Sequence, residues 1–118
     1  MRRPPSIDAY GAGGFRVSGA RREGSLMIVD DEPRTWAATA LDQLTPTDFE
    51  AVIEAGPRRV EFVLLGTGPV QALPPREVRE ALKAAGIGLE FMDTPAAARV
   101  YNVLASEGRR FAAALIAI

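Results

Sequence analysis

Two textures of apolar spacing divide the chain. Between Ser6 and Thr39 apolar residues come in short runs set off by glycine and proline, the spacing of short strands. Ile7–Tyr10 leads into Gly11-Ala12-Gly13-Gly14, Phe15–Gly19 follows, and Leu26–Val29 is a continuous apolar run of strand length. Asp30-Asp31-Glu32-Pro33 is turn chemistry, and Thr35-Trp36 begins a returning strand.

From Leu44 onward helical and extended signals alternate. Thr45-Pro46-Thr47-Asp48 opens a helix, with Thr45 as N-cap, proline at the first position and Asp48 placed to bond back. Phe49, Val52 and Ile53 make its apolar face, and Gly56-Pro57 stops it. Val60–Leu65 reads as a strand buried on both faces, hence from the middle of a sheet. A second helix begins near Pro75, buries Val78, Ala81, Leu82 and Ala85, and ends at Gly86. Ile87–Met92 is the next strand, and the unit from Val60 to Met92 is long enough for a parallel crossover. Thr94-Pro95 repeats the cap-and-proline start. That helix runs to about Glu107 on Ala97, Val100, Tyr101 and Leu104, and Gly108 closes it. A buried strand fills Arg110–Ile118. The pattern predicts an α/β domain over residues 1–118, with residues 1–6 as a flexible lead. Its sheet is built from the second half, and the N-terminal strands add a hairpin layer or extra strands.

Composition narrows the chemistry more than the fold. The 118 residues are 47% hydrophobic and 25% charged, as in an ordinary single domain. There is no cysteine and no histidine. That removes disulfides, thiol nucleophiles, the usual zinc and iron–sulfur sites and any Ser-His-Asp triad. A net charge of −1 disfavours a nucleic-acid partner. The basic start, Met1-Arg2-Arg3, has no apolar stretch behind it, and the longest apolar run, Phe111–Ile118, is far short of the roughly 20 residues a spanning helix needs. The expectation is a cytoplasmic protein with no membrane span. Arginine doublets at Arg2, Arg21, Arg58 and Arg109 are dispersed and balanced by acids.

Candidate sites follow from the layout. In an open α/β sheet, ligands favour the crevice beyond the carboxyl ends of the strands. Two loops leave such ends, Gly66-Thr67-Gly68 and Met92-Asp93-Thr94. If their strands are parallel neighbours, both loops lie at one edge, and a helix starting at Thr94 would aim its free N–H groups there for an anion. The same residues also fit plain structure: glycines for a tight turn, Thr94 for a cap. Neither glycine cluster is a dinucleotide fingerprint. Arg99, Asn102 and Ser106, with Glu107 close by, share a face of the third helix that reads as a polar recognition strip or as a solvated surface. Asp93 is the best single acid/base candidate, in a chain with little else to offer catalysis. No cofactor and no metal site is indicated.

A longer set of residues carries a resemblance. Ile7-Asp8-Ala9-Tyr10-Gly11, Gly13-Gly14-Phe15-Arg16-Val17, Gly24-Ser25-Leu26 and Trp36 come first. Leu65-Gly66-Thr67-Gly68, Glu90-Phe91-Met92-Asp93-Thr94, Ala97-Ala98-Arg99, Tyr101-Asn102-Val103-Leu104 and Glu107-Gly108-Arg109-Arg110 follow. Together they resemble a small-domain family of unassigned function. It includes bacterial and archaeal hypothetical proteins, the mitochondrial NADH dehydrogenase (complex I) assembly factor 3 and an animal adipogenesis-associated protein. The bacterial members are nearest in look. The resemblance implies a three-layer α/β domain with a mixed central sheet flanked by helices, an additional N-terminal β layer, and a final strand antiparallel to its neighbours. It further implies a non-enzymatic helper with a protein partner, such as a subunit of a membrane complex during assembly. The partner surface would be the strand-end edge and the exposed face of the third helix. The alternative is a small-ligand or anion-binding domain, or a weak enzyme, on the loops at 66–68 and 92–94. Self-association through an N-terminal strand is a third reading.

Overall fold

The computed structural model describes residues 2–118. The elements run β1 (Ile7–Gly11), β2 (Gly14–Val17), β3 (Ala20–Glu23), β4 (Ser25–Val29), β5 (Glu32–Trp36), α1 (Glu50–Ala55), β6 (Phe62–Gly66), α2 (Arg76–Ala84), β7 (Gly88–Met92), α3 (Thr94–Ser106) and β8 (Phe111–Leu115). β1, β2 and β3 form an antiparallel three-stranded sheet, and the other five strands form a mixed sheet in the order β5-β4-β8-β6-β7. This is a mixed α/β fold with two sheets and three helices.

The mixed sheet is covered on both faces. Met27, Val29, Val63, Leu65, Ala112 and Ala114 point to a core shared with Val52 of α1 and with Val78 and Leu82 of α2. Their alternates Leu26, Ile28, Leu64, Ala113 and Leu115 point to a second core, built with Ala97, Ala98 and Tyr101 of α3 and with Ile7, Phe15 and Val17 of the small sheet. Burial on both faces is why β4, β6 and β8 read as unbroken apolar runs instead of alternating ones.

The capping box at Thr45 forms as its residues predict, with the Thr45 N–H donating to Asp48 Oδ2 at 2.8 Å. The first turn after it, Pro46–Phe49, is a 3-10 turn, and α1 begins only at Glu50. The β6–α2–β7 unit is parallel, pairing Phe62 with Gly88 through to Gly66 with Met92.

Both alternatives for the N-terminal strands occur: β1 to β3 form the added layer, and β4 and β5 are extra strands of the mixed sheet beside β8. Two points differ from the expectation. β3 has no counterpart in the sequence reading: Ala20-Arg21-Arg22-Glu23 has no apolar side to show, and its pairing with β2 decides it. The final strand is antiparallel only to β4. It runs parallel to β6, because the connection through α3 returns the chain to the end of the sheet where β6 starts.

The expected flexible lead, residues 1–6, includes Met1, which lies outside the described residues. Arg2 pairs with Asp31 at 3.0 Å and also donates to the carbonyls of Gly108 and Arg109.

Candidate functional site

The parallel pairing of β6 and β7 brings the two predicted loops together. Thr67 N–H donates to the Met92 carbonyl at 2.8 Å, and Thr94 N–H donates to the Gly68 carbonyl at 2.8 Å. Gly68 N–H donates to Thr94 Oγ1 at 3.0 Å, and that hydroxyl donates in turn to the Ile116 carbonyl at 2.7 Å. Ile116 N–H closes the circuit on the Gly66 carbonyl at 3.0 Å. The Thr67 hydroxyl donates to the Val70 carbonyl at 2.7 Å. Gly66, Thr67, Gly68 and Thr94 are all buried. A Cβ on Gly66 would stand 2.8 Å from Leu115 Cδ2 and 2.9 Å from Thr94 Oγ1. The crevice expected at this edge is therefore filled by its own backbone and side chains.

Thr94 is not the cap of α3. Asp93 is, with an extended backbone and a carboxylate that accepts the Ala96 N–H at 2.8 Å. Thr94 is the first helical residue, and its side chain turns inward. The difference is one residue, but it decides the chemistry of the helix end. Thr94 N–H is held by Gly68, Pro95 has none, Ala96 N–H is held by Asp93 Oδ1, and Ala97 N–H bonds the Asp93 carbonyl. The donors expected to attract an anion are already satisfied. Asp93, the acid/base candidate, is engaged as that cap. Met92 is half-buried against the α3-side core.

On α3 the predicted polar strip splits. Asn102 Oδ1 accepts the Ile7 N–H at 2.9 Å, and its Nδ2 donates to the Ile7 carbonyl at 2.8 Å. The amide thus imitates a neighbouring strand and clamps β1 onto the helix. Arg99 and Glu107 are exposed. Tyr101, buried beside them, donates its hydroxyl to the Pro5 carbonyl at 2.8 Å. Burial pushes its phenol well above the ordinary value, so it stays protonated as that donor. Three of the arginine doublets meet at the opposite end of the sheet, each answered by an acid. Arg2 pairs with Asp31, Arg59 with Asp30, and Arg110 with Glu61 at 3.1 Å. Arg109 stacks over the Phe62 ring. Exposed pairs of this kind contribute little to stability. Among the described residues, no group of three or more acids gathers as a metal site.

The sequence reading missed the surface just outside the closed edge. Val70 and Leu73, in the loop between β6 and α2, are 67% and 61% exposed. With Leu41 and Pro75 they line a shallow hollow over Thr67. Their signal, apolar residues in a proline- and glycine-rich loop, has no period and reads as plain connection.

The sequence relationships agree with this architecture. Residues 7–116 match the family described as protein of unknown function (DUF498/DUF598). The chain belongs to this family. Within DUF498/DUF598, an uncharacterized protein of Rhodobacter capsulatus is 41% identical over 110 residues, spanning 93% of this chain and 82% of that protein. Human NADH dehydrogenase [ubiquinone] 1 alpha subcomplex assembly factor 3 is 33% identical over 93% of this chain. That match covers 59% of the human factor, so the chain spans under two thirds of the assembly factors' length. The crystal structure of a Bartonella henselae protein, named an outer membrane protein, superposes with a TM-score of 0.88 at 36% identity, covering 97% of this chain and 95% of that one. Among the described residues, no helix is long and apolar enough to cross a membrane.

Proposed function

We propose that this chain is a non-catalytic protein-interaction domain that assists assembly of a membrane-bound respiratory complex of the NADH dehydrogenase type. The likeness to assembly factor 3 over 93% of the chain carries this reading. Two features of the site agree with it. The strand-end edge is satisfied internally, which suits a surface that docks and does not react. Immediately outside it stand the exposed side chains of Val70 and Leu73, a small apolar patch of the kind that partners cover. Arg99 and Glu107 extend the proposed partner surface along α3, and we place the working compartment in the cytoplasm.

Deleting the gene for this chain should lower the amount of fully assembled NADH dehydrogenase on native gels of the host's membranes. Re-expression of the chain should restore it. An unchanged amount of assembled enzyme in the deletion strain would refute the proposal. A variant with Val70→Asp and Leu73→Asp, both at exposed positions, should fold normally and restore less.

A further inference from the structure

We infer that the free edge of β7 is a docking site for an extended segment of a partner protein, which adds a sixth strand to the mixed sheet. The inference deepens the proposed function and rests on it only in taking the partner to be a protein.

A sheet edge with unpaired backbone groups invites another strand, and folds usually blunt such edges. Here the other edges are blunted. β5 carries Pro33 between the exposed Glu32 and Arg34. β3 is Arg21-Arg22-Glu23 after its first residue. β1 has an irregular register between Ile7 and Ala9, and Asn102 occupies the backbone of Ile7. β7, along Gly88-Leu89-Glu90-Phe91-Met92, has no proline and no break in register, and a single charged residue, Glu90.

The backbone phase of β7 follows from two bonds. Gly88 N–H donates to the Glu61 carbonyl, and the Met92 carbonyl accepts from Thr67 N–H. Alternate residues along a strand face opposite neighbours, so Gly88, Glu90 and Met92 face β6. Leu89 and Phe91 turn their N–H and C=O groups outward. The Phe91 carbonyl meets the exposed Gln71 side chain at 3.5 Å, on that outer side.

Both flanks of this edge carry apolar grooves. On the α2 side Ile87, Leu89 and Phe91 line a groove whose rim carries Arg79 and Lys83. On the α3 side Phe62, Met92, Val100 and Leu104 line a groove of about 320 Å³, together with Glu90 and Arg109. An added strand would place alternate side chains in the two grooves.

Charge selects the occupant. The register that pairs all five residues of β7 with a second copy sets Glu90 directly against Glu90, and like charges opposite one another destabilise a sheet. A foreign strand avoids this by presenting lysine or arginine opposite Glu90. An acidic residue on its other face would meet Arg79 and Lys83. The occupant is therefore an extended protein segment with apolar residues on both faces, a basic residue opposite Glu90 and an acidic one near the α2 rim.

The test uses the full chain and a phage-displayed library of random nonapeptides. Selected peptides should carry apolar residues on both faces of an extended strand and one interior lysine or arginine. A selected peptide should shift the amide resonances of Leu89 and Phe91 ahead of those in other strands. N-methylation of its alternate residues should abolish binding. Glu90→Lys changes an exposed residue and should weaken that peptide about two- to fivefold, the range for cross-strand charge pairs. Replacing the peptide's basic residue by glutamate should recover that factor. Failure to select any peptide, shifts confined to other strands, or indifference to Glu90→Lys would overturn the inference. Concentration-dependent shifts of Leu89 and Phe91 without peptide would overturn it in favour of a second copy. Shifts produced only by lipid vesicles would overturn it in favour of a membrane surface. A silent gene deletion with peptide binding intact would sink the assembly role alone, and peptide failure with an assembly defect would sink this surface alone.

Discussion

Replacing Thr94 by valine tests the closed strand end at its most connected point. The residue is 0% exposed, and valine keeps its shape while removing the hydroxyl. Two buried backbone groups then lose their partner, the Gly68 N–H and the Ile116 carbonyl. Each buried group left unpaired costs about 1–3 kcal/mol. Partial relaxation at the chain end favours the lower half of the summed range, so Thr94→Val should cost about 2–4 kcal/mol. For a domain of this length that lowers Tm by roughly 8–16 °C. Thr94→Ser keeps both bonds and loses one buried methyl, which costs only about 1 kcal/mol. Asp93→Ala removes the true cap and should cost about 1 kcal/mol. Urea unfolding followed by circular dichroism gives all three values, provided the slope against denaturant stays that of the parent. The reasoning fails if Thr94→Val is within 0.5 kcal/mol of the parent, or if serine is as damaging as valine. A harmless Asp93→Ala would return the cap to Thr94.

The remaining predictions concern single contacts. Gly66→Ala should destabilise by about 1–3 kcal/mol in the same assay, because the new methyl meets Leu115 and Thr94 in a filled core; a neutral result would mean that the edge has room for a ligand after all. Asn102→Ala should cost about 1–3 kcal/mol and raise amide hydrogen exchange in β1 and β2 while leaving β6 protected, since only the clamp on Ile7 is lost. Asp8 accepts from the Ser6 hydroxyl and the Gly19 N–H, which hold its carboxyl below the ordinary 3.8. The folded state therefore binds this proton less readily than the unfolded one, so the contribution is complete above pH 3.8 and fades as pH falls below it. The melting temperatures of the parent and of Asp8→Asn should accordingly converge below that pH; a gap that widens there would reverse the sign.

Much of the fold was legible in the chain because its signals are local. The Thr45–Asp48 box, the stop at Gly56 and the apolar face of α2 each depend on residues within a turn or two, and local bonds form the same way wherever the segment sits. The continuous apolar runs at Leu26–Val29 and Val60–Leu65 announced strands, the second of them covered on both faces, and the resemblance marked the family. Partnership was not legible. Nothing in Ala20-Arg21-Arg22-Glu23 says strand, because what makes it one is a row of backbone bonds to β2. The direction of β8 depends on the end of the sheet to which α3 returns the chain, and an apolar run is the same read either way.

The candidate site shows the same division. The sequence put Gly66–Gly68 and Met92–Thr94 at one edge on the condition that their strands are parallel neighbours, and the pairing of β6 with β7 meets that condition. Whether that edge is open or closed was decided by the approach of Ile116 and Leu115, which are distant in sequence and adjacent only once β8 lies beside β6. Asn102 looked like a surface residue by helical spacing, and only the docking of β1 gave its amide two backbone partners. The free edge of β7 is likewise invisible in Gly88–Met92. A strand's own residues specify that it will pair, and the order of the whole sheet specifies which side is left without a neighbour.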